Sequence, residues 1–406
     1  MELYQPIAHR PFDVWFTDFE KSRLKVIQVS ASYKPAVIYG GPTMSVSKLS
    51  EELWKKGIDI TVFTTLANGK TELSFPAGKV TWIDQVPVWF FNRLTKDHSH
   101  FSPGLLKHLF LKIKKTDKPL IIHIHAWWNL VSILSCLIAR LKKIPVVLSP
   151  RGTLSGYSFS NKHTFIKSWI HLLAGKKLLT SCFFHVTSEQ EKQDILQLLH
   201  PKLIEVIPNF IRLPTSFTPT LNNNSTVLKL LFFSRVEAKK GLEILLEALD
   251  GIGLSYSLTI AGTGELDYIE SIKKTVHKRS MEPFVTWIGF QQNETKFEVL
   301  QAHDLLVLPS CNENFGNVVI ESLAVGTAVL ISNQVGLADY VNTKSLGWTF
   351  ENQPEKLREQ LIKINQNRQR LDEIRLQSPQ IIKRDFAESL LVKQYVDFYK
   401  KVIAHG

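Results

Sequence analysis

Short apolar runs and helix-period segments alternate along most of this chain. Residues 24–30, 58–64, 120–125, 145–149 and 183–187 are apolar runs of strand length, several of them rich in β-branched residues. Between the first two runs lies a loop with Gly40 and Gly41, then a helical pattern over residues 43–56 that stops at Gly57. That is one β-α-β unit. The right-handed crossover of parallel strands places its glycine loop at their carboxyl ends, where open α/β sheets bind ligands. Strand patterns resume at 228–234, 257–261, 285–288, 305–308 and 328–332, with helical patterns at 242–249, 266–278, 295–302 and 318–324 between them. Residues 214–226, rich in Pro, Asn, Ser and Thr, favour neither element and separate the two series. A last helical stretch, 386–402, has no sheet left to serve.

The pattern predicts an α/β protein with a doubly wound first domain over residues 1–210, a linker at 211–226, a second α/β domain at 227–385 and a terminal helix within 386–406. Size agrees, since chains beyond about 250–300 residues divide into domains, and this one has 406 residues, 44% of them apolar. No apolar run reaches membrane-spanning length, and the first residues, Met-Glu-Leu-Tyr-Gln-Pro, do not open a signal peptide. A cytoplasmic protein is expected. Cys136, Cys182 and Cys311 are odd in number, far apart and set among apolar residues, which predicts reduced core thiols.

Charge changes the picture of the first half. Residues 1–200 carry 26 Lys plus Arg against 14 Asp plus Glu, whereas residues 201–406 carry 23 against 23. A one-sided basic surface suggests an anionic partner. In the segment 105–118, Leu105, Leu106, Leu109, Phe110 and Ile113 share one helical arc, with Lys107, Lys114, Lys115 and Lys118 opposite and Leu111 on the basic side. Packing on a sheet is the favoured reading and an interfacial helix the alternative; residues 165–173, followed by Lys176 and Lys177, offer the same choice. At about 1 kcal/mol per Lys near anionic lipid, the contact expected is weak and reversible. No zinc-finger, RNP-type or helix-turn-helix pattern is present, so nucleic acid is not an expected partner.

Candidate chemistry centres on residues 313–321, Glu-Asn-Phe-Gly-Asn-Val-Val-Ile-Glu, which hold two carboxylates eight positions apart around a Phe-Gly turn and a helix start. Backbone N–H groups at a helix N-terminus bind phosphate, and a glycine lets the ligand approach closely. Gly316 and Asn317 fit that role, with Glu313 placed to accept hydroxyls and Glu321 to reach a ribose. Two exposed glutamates on a strand-turn-helix is the plain alternative. Arg235 and Lys240, five positions apart around a strand end, can converge on a diphosphate, one as a planar fork and the other as a point charge. The loop Gly262-Thr263-Gly264-Glu265 is not a full dinucleotide fingerprint, because Asp267 stands where the third glycine belongs.

These segments, in their order along the chain, resemble the retaining glycosyltransferases of the family 4 type, whose signature is E-x7-E. Gly40-Gly41-Pro42 is similar to the family's glycine loop. His123-Ile124-His125 and Ser149-Pro150-Arg151-Gly152 resemble its H-x-H and S-P-R-G segments, and Val206-Ile207-Pro208-Asn209 its crossing into the second domain. Ser234-Arg235 through Lys240-Gly241 resembles the family's G-R…K-G pattern, with four residues between Arg235 and Lys240 and Ser replacing the usual first Gly. The resemblance runs over about residues 25–400 and implies the GT-B architecture: two Rossmann-like doubly wound domains facing across a cleft, with a C-terminal helix crossing back to the first. It implies transfer of a sugar from a nucleotide diphosphate sugar to a glycan or glycolipid acceptor. Glu313 would bind sugar hydroxyls, Glu321 the ribose, and Arg235 and Lys240 the leaving diphosphate. Gly40, Gly41, Gly262, Gly264, Phe315, Gly316 and Asn317 would complete the donor site, His125 would lie near the sugar, and Arg151 and Asn209 would face the acceptor. His125 as a satisfied strand-end histidine is the alternative.

No two aspartates stand two positions apart, so the D-x-D metal site of the other main glycosyltransferase fold is absent, and catalysis without a required metal or cofactor is expected. His123 and His125 lack further ligands at metal spacing, and only His125 is expected to face the cleft. Two other readings stand: a non-transferring relative, such as a nucleotide-sugar epimerase or a phosphorylase, and a non-catalytic nucleotide-sugar binding protein. The presence of Glu313, Glu321, Arg235 and Lys240 together weighs against the last.

Overall fold

The computed structural model describes residues 24–113, 119–156, 175–214 and 226–406. The basic, aromatic stretch 165–173, Lys114, Lys115, Lys118 and most of the expected linker lie outside the described residues. Among the described residues ten strands precede the linker: β1 (Lys25–Val29), β2 (Asp59–Thr65), β3 (Ala67–Asn68), β4 (Thr71–Glu72), β5 (Val80–Ile83), β6 (Val86–Phe91), β7 (Leu120–His125), β8 (Val146–Ser149), β9 (Phe183–Val186) and β10 (Ile204–Val206). Apart from the short β3–β4 hairpin they form one sheet in the order β10-β9-β8-β7-β1-β2-β6-β5, parallel except where β5 meets β6. Strands buried on both faces read as unbroken apolar runs, and β7 and β8 are buried at every position.

The second domain has six strands, β11 (Leu228–Phe233), β12 (Tyr256–Ala261), β13 (Val285–Gly289), β14 (Leu305–Leu308), β15 (Ala328–Ser332) and β16 (Gly347–Phe350). They pair in the order β13-β12-β11-β14-β15-β16, all parallel. In chain order that is 3-2-1-4-5-6, the dinucleotide-fold arrangement, and it reverses between β11 and β14. In the first sheet the same reversal falls between β1 and β7. Ligands of such sheets sit outside the carboxyl ends of the strands at the reversal, so the loops after β1, β7, β11 and β14 mark the site.

The chain finishes as the resemblance implied. Helix Glu388–His405 buries Leu391, Tyr395, Phe398, Tyr399 and Val402 against first-domain residues including Val46, Leu49 and Phe183. At about 1.5–3 kcal/mol for each large apolar side chain buried, that face suffices to hold the helix there. Ion pairs Lys48–Glu388 at 2.7 Å and Lys401–Glu205 at 2.6 Å fasten its two ends.

Several elements differ from expectation. The predicted helix of 105–118 runs over Pro103–Lys112, where Leu105 and Leu109 are buried but Phe110, assigned to the apolar arc, is 45% exposed. Strands β5, β6, β10 and β16 and the helices Pro354–Gln366 and Gln369–Asp385 were not anticipated. Cys136 and Cys182 are buried with their sulfurs 3.5 Å apart, and the hydrogen bond between them together with burial pushes the Cys182 thiol up. Both are buried core thiols, whereas Cys311, expected to be one as well, is half-buried.

Candidate active site

Glycines shape the second domain's contribution. Gly241 closes the loop after β11 in the left-handed region at φ 69°, where a Cβ would stand 2.0 Å from the Pro309 carbonyl. The loops after β11 and β14 are thereby pressed together, and Cys311 N–H donates to Lys239 O at 2.9 Å across them. Lys240 consequently meets Glu313 in an ion pair, its side chain 11% exposed and that of Glu313 21%. The Glu313 backbone is braced from the loop after β15, its N–H on Gln334 O at 3.0 Å and its carbonyl receiving Gly336 N–H at 2.8 Å. Gly316, at φ 89°, then turns the chain into helix Asn317–Ala324. One turn on, Glu321 pairs with Lys296 at 2.6 Å, a cation that sequence reading missed because it lies 25 residues away on another helix.

Arg235 stands more openly, its side chain 60% exposed and 3.1 Å from Glu237. Gly262 and Gly264 act locally, since a Cβ on either would fall 1.8 or 1.9 Å from the carbonyl of Ser234 or Val236. These glycines let the loop after β12 lie directly on the loop that carries Arg235, with Val236 N–H bonded to Thr263 O at 2.9 Å. Phe315 is buried in the second domain's core and anchors the turn.

From the first domain, Gly40 at φ 68° starts helix Gly41–Lys55, and a Cβ on Gly41 would come 3.2 Å from Asn317 Nδ2. Two helix N-termini therefore face each other across the domain junction, each carrying roughly half a positive charge. Such a place attracts an anion. Ser45 Oγ receives Asn317 Nδ2 at 3.1 Å, Ser188 Oγ donates to Asn314 O at 3.1 Å, and Asn314 Nδ2 donates to Thr187 Oγ1 at 2.8 Å, so the segment 313–321 is tied to the first domain through both of its asparagines.

His125 is 2% exposed. Its Nε2 faces Gln28 Oε1 at 3.3 Å, and Arg151 Nε donates to its Nδ1 at 3.4 Å. Both ring nitrogens are engaged, as for a satisfied strand-end histidine. The expectation that only His125 faces the cleft is corrected: residues two apart on a strand share a face, and the His123 and His125 rings lie 4.2 Å apart on the same side. Burial, then the neighbouring His123 and Arg151, holds His125 well below the usual imidazole range; burial, His185 and Arg151 do the same for His123, and burial with Arg151 pushes His185 to about 3. All three are neutral. Arg151 and Asn209, expected to face the acceptor, bond to each other at 2.8 Å, and Asn209 reaches Asn317 at 3.1 Å. Among the described residues no group of three or more His, Cys, Asp or Glu is placed to hold a metal.

A paired set of cations and carboxylates thus lies at the reversal point of one dinucleotide fold, faced by the glycine loop of another. The model of Glycosyltransferase Family 4 matches residues 39–213, and that of Glycosyl transferases group 1 matches residues 216–379. The chain belongs to the family 4-type glycosyltransferases. Its curated relatives include an uncharacterized glycosyltransferase of Methanocaldococcus jannaschii, 24% identical, which covers 82% of this chain and 87% of the relative. Among solved structures, the glycosyltransferase is similar to Anabaena HepE in complex with UDP and glucose, at a TM-score of 0.69 and 17% identity over 93% of this chain and 99% of that one. It is also similar to WaaG, a glycosyltransferase involved in lipopolysaccharide biosynthesis, at a TM-score of 0.65 and 15% identity over 92% and 99%. At such identities the likeness is one of GT-B fold. No helix among the described residues is long and apolar enough to cross a membrane.

Proposed function

We propose that this glycosyltransferase is retaining, takes its sugar from a nucleotide diphosphate sugar and delivers it to a lipid-linked or cell-envelope glycan acceptor without a required metal. The observation that carries the reading is the Lys240–Glu313 pair set beside two facing helix N-termini. As the glycosidic bond to phosphate breaks, charge grows on the leaving diphosphate, and preorganised donors aimed at growing charge are the largest expected catalytic term. Lys240, Arg235 and the N–H groups at Gly41 and Asn317 supply them. Glu313 accepts hydrogen bonds from the sugar hydroxyls, with Glu321 toward the ribose. UDP and glucose bound to the structurally similar HepE are in keeping with such a donor, and WaaG's role in lipopolysaccharide biosynthesis with such an acceptor.

A membrane-borne acceptor suits the first domain's surface. Phe110 and Leu111, on helix Pro103–Lys112, and Leu137 and Leu141, on helix Leu130–Leu141, are exposed beside Lys107, Lys112, Lys142 and Lys143, and Lys142 Nζ lies 3.8 Å over the Phe110 ring. Apolar side chains ringed by lysines favour reversible docking on an anionic leaflet from the cytoplasmic side. A nucleotide-sugar panel tests the proposal, scoring nucleotide released by the wild type and by Glu313→Ala with and without a membrane-lipid extract. Release from one donor, dependent on extract and on Glu313, is expected; release by Glu313→Ala at the wild-type rate would overturn the site.

A further inference from the structure

Asn209 lies at the crossing between the domains, and its amide is engaged on both sides. Arg151 Nη1 donates to its Oδ1 at 2.8 Å, and its Nδ2 donates to Asn317 Oδ1 at 3.1 Å. Asn317 Nδ2 in turn points back into the first domain, 3.1 Å from Ser45 Oγ. A guanidinium can only donate, so Arg151 decides which end of the Asn209 amide faces Asn317. That end can only donate as well, which decides how Asn317 is turned. Polarity thus passes from a half-buried cation to the first residue of the helix at the donor site.

The base of this relay is held hard. Arg151 sits at φ 53°, a left-handed conformation that persists in a non-glycine residue where its surroundings over-determine it. Arg151 also leans on His125, which neighbours His123, and His123 is fixed between Tyr399 Oη at 2.8 Å and Ser149 Oγ at 2.7 Å. Ser149 Oγ continues to His185 Nδ1 at 2.6 Å, and His185 Nε2 meets Tyr395 Oη and Ile207 O, both at 2.9 Å. Ile207 is two residues before Asn209. The returning C-terminal helix and the crossing segment are therefore clamped to one neutral cluster, and Asn209 extends from it, 7% exposed.

We propose that Asn209 is a positioning residue for donor binding, carrying the orientation set by Arg151 to Asn317 at the diphosphate-binding helix N-terminus. The proposal rests on the donor-site reading above. A double-mutant cycle tests it, with Asn209→Ala, Asn317→Ala and the double variant titrated with whichever of UDP, GDP, ADP, CDP and TDP most stabilises the wild type. Asn209→Ala should weaken that nucleotide about tenfold, the scale of one lost hydrogen bond, raise the donor KM more than it lowers kcat, and add nothing in the Asn317→Ala background. Asn209→Asp keeps an acceptor for Arg151 but has no N–H for Asn317. It should retain the wild-type melting temperature while binding nucleotide as weakly as Asn209→Ala. Independent, multiplying effects in the cycle, or wild-type affinity in Asn209→Asp, would overturn the relay. Absence of any nucleotide binding by the wild type would instead contradict the donor-site reading, and the relay with it.

Discussion

At the carboxyl end of the first sheet a buried histidine cluster dominates: His123, His125 and His185 are neutral and bonded to hydroxyls, an amide and a carbonyl, with the ionisable Arg151 and Glu191 held beside them by fixed hydrogen bonds. At the same end of the second sheet the polar groups are ion pairs reaching toward solvent, Lys240–Glu313, Lys296–Glu321 and Arg235–Glu237. One fold thus serves two purposes. Neutral, enclosed networks keep their geometry because breaking any bond leaves an unsatisfied buried group. Part-exposed ion pairs exchange partners at modest cost, which a site needs if it is to take up and release a charged diphosphate. The first domain holds position and the second handles charge.

The strongest way to break this comparison is at Glu313. Glu313→Ala is expected to lower turnover by at least a hundredfold, the scale of losing one preorganised polar contact at a reacting centre, while leaving the melting temperature close to that of the wild type; steady-state kinetics with thermal unfolding checks both. Next comes Gly241→Ala. Its Cβ would stand 2.0 Å from Pro309 O at a positive φ, so a stability loss of about 2–3 kcal/mol is expected in urea unfolding, together with weakened nucleotide binding as Lys240 is displaced.

Acid sharpens the contrast between the domains. His185 has a folded pKa pushed down to about 3, mainly by burial, so between the ordinary imidazole value and 3 the unfolded chain binds a proton that the native one does not. Its stabilising contribution is complete above pH of about 6.5 and declines as pH falls below that, by about 1.4 kcal/mol per pH unit, until the folded value is passed. His123 and His125, lowered in the same direction, add to the loss. Melting temperatures from pH 7.5 to 5 should fall, and His185→Asn should fall less steeply. A flat wild-type profile would mean that the cluster does not hold its histidines neutral. The smallest effect is at the surface: Leu141→Asp, at a side chain 69% exposed, should leave turnover on a soluble acceptor unchanged and reduce co-sedimentation with phosphatidylglycerol vesicles severalfold.

Much of the fold was legible because its central strands are buried on both faces. The runs expected at 305–308 and 328–332 match β14 and β15 residue for residue. Strands β5 and β6 escaped notice because β5 is half-exposed on the sheet edge, alternating in burial, and its hairpin turn uses Asp84 and Gln85 at φ 47° and 69° instead of a glycine. Phe110 was misassigned because periodicity says where an arc points, and only the neighbours decide how far cover extends along it. At the site, the carboxylates Glu313 and Glu321 and the cations of the loop after β11 are each local in sequence, so their spacing could be read there. The histidine–tyrosine cluster could not: His123 and Tyr399 are 276 positions apart and meet only because the last helix crosses back.

The measurement that tests the division of labour most directly is a calorimetric titration of wild type and Lys240→Ala with the nucleoside diphosphate of the preferred donor. The account predicts binding weaker by about 1.5–3 kcal/mol, as for a hydrogen bond to a charged group, with the two domains still unfolding at the wild-type temperature. Equal affinity in the two proteins would contradict it, because the diphosphate's charge would then be met somewhere other than the second domain's ion pair.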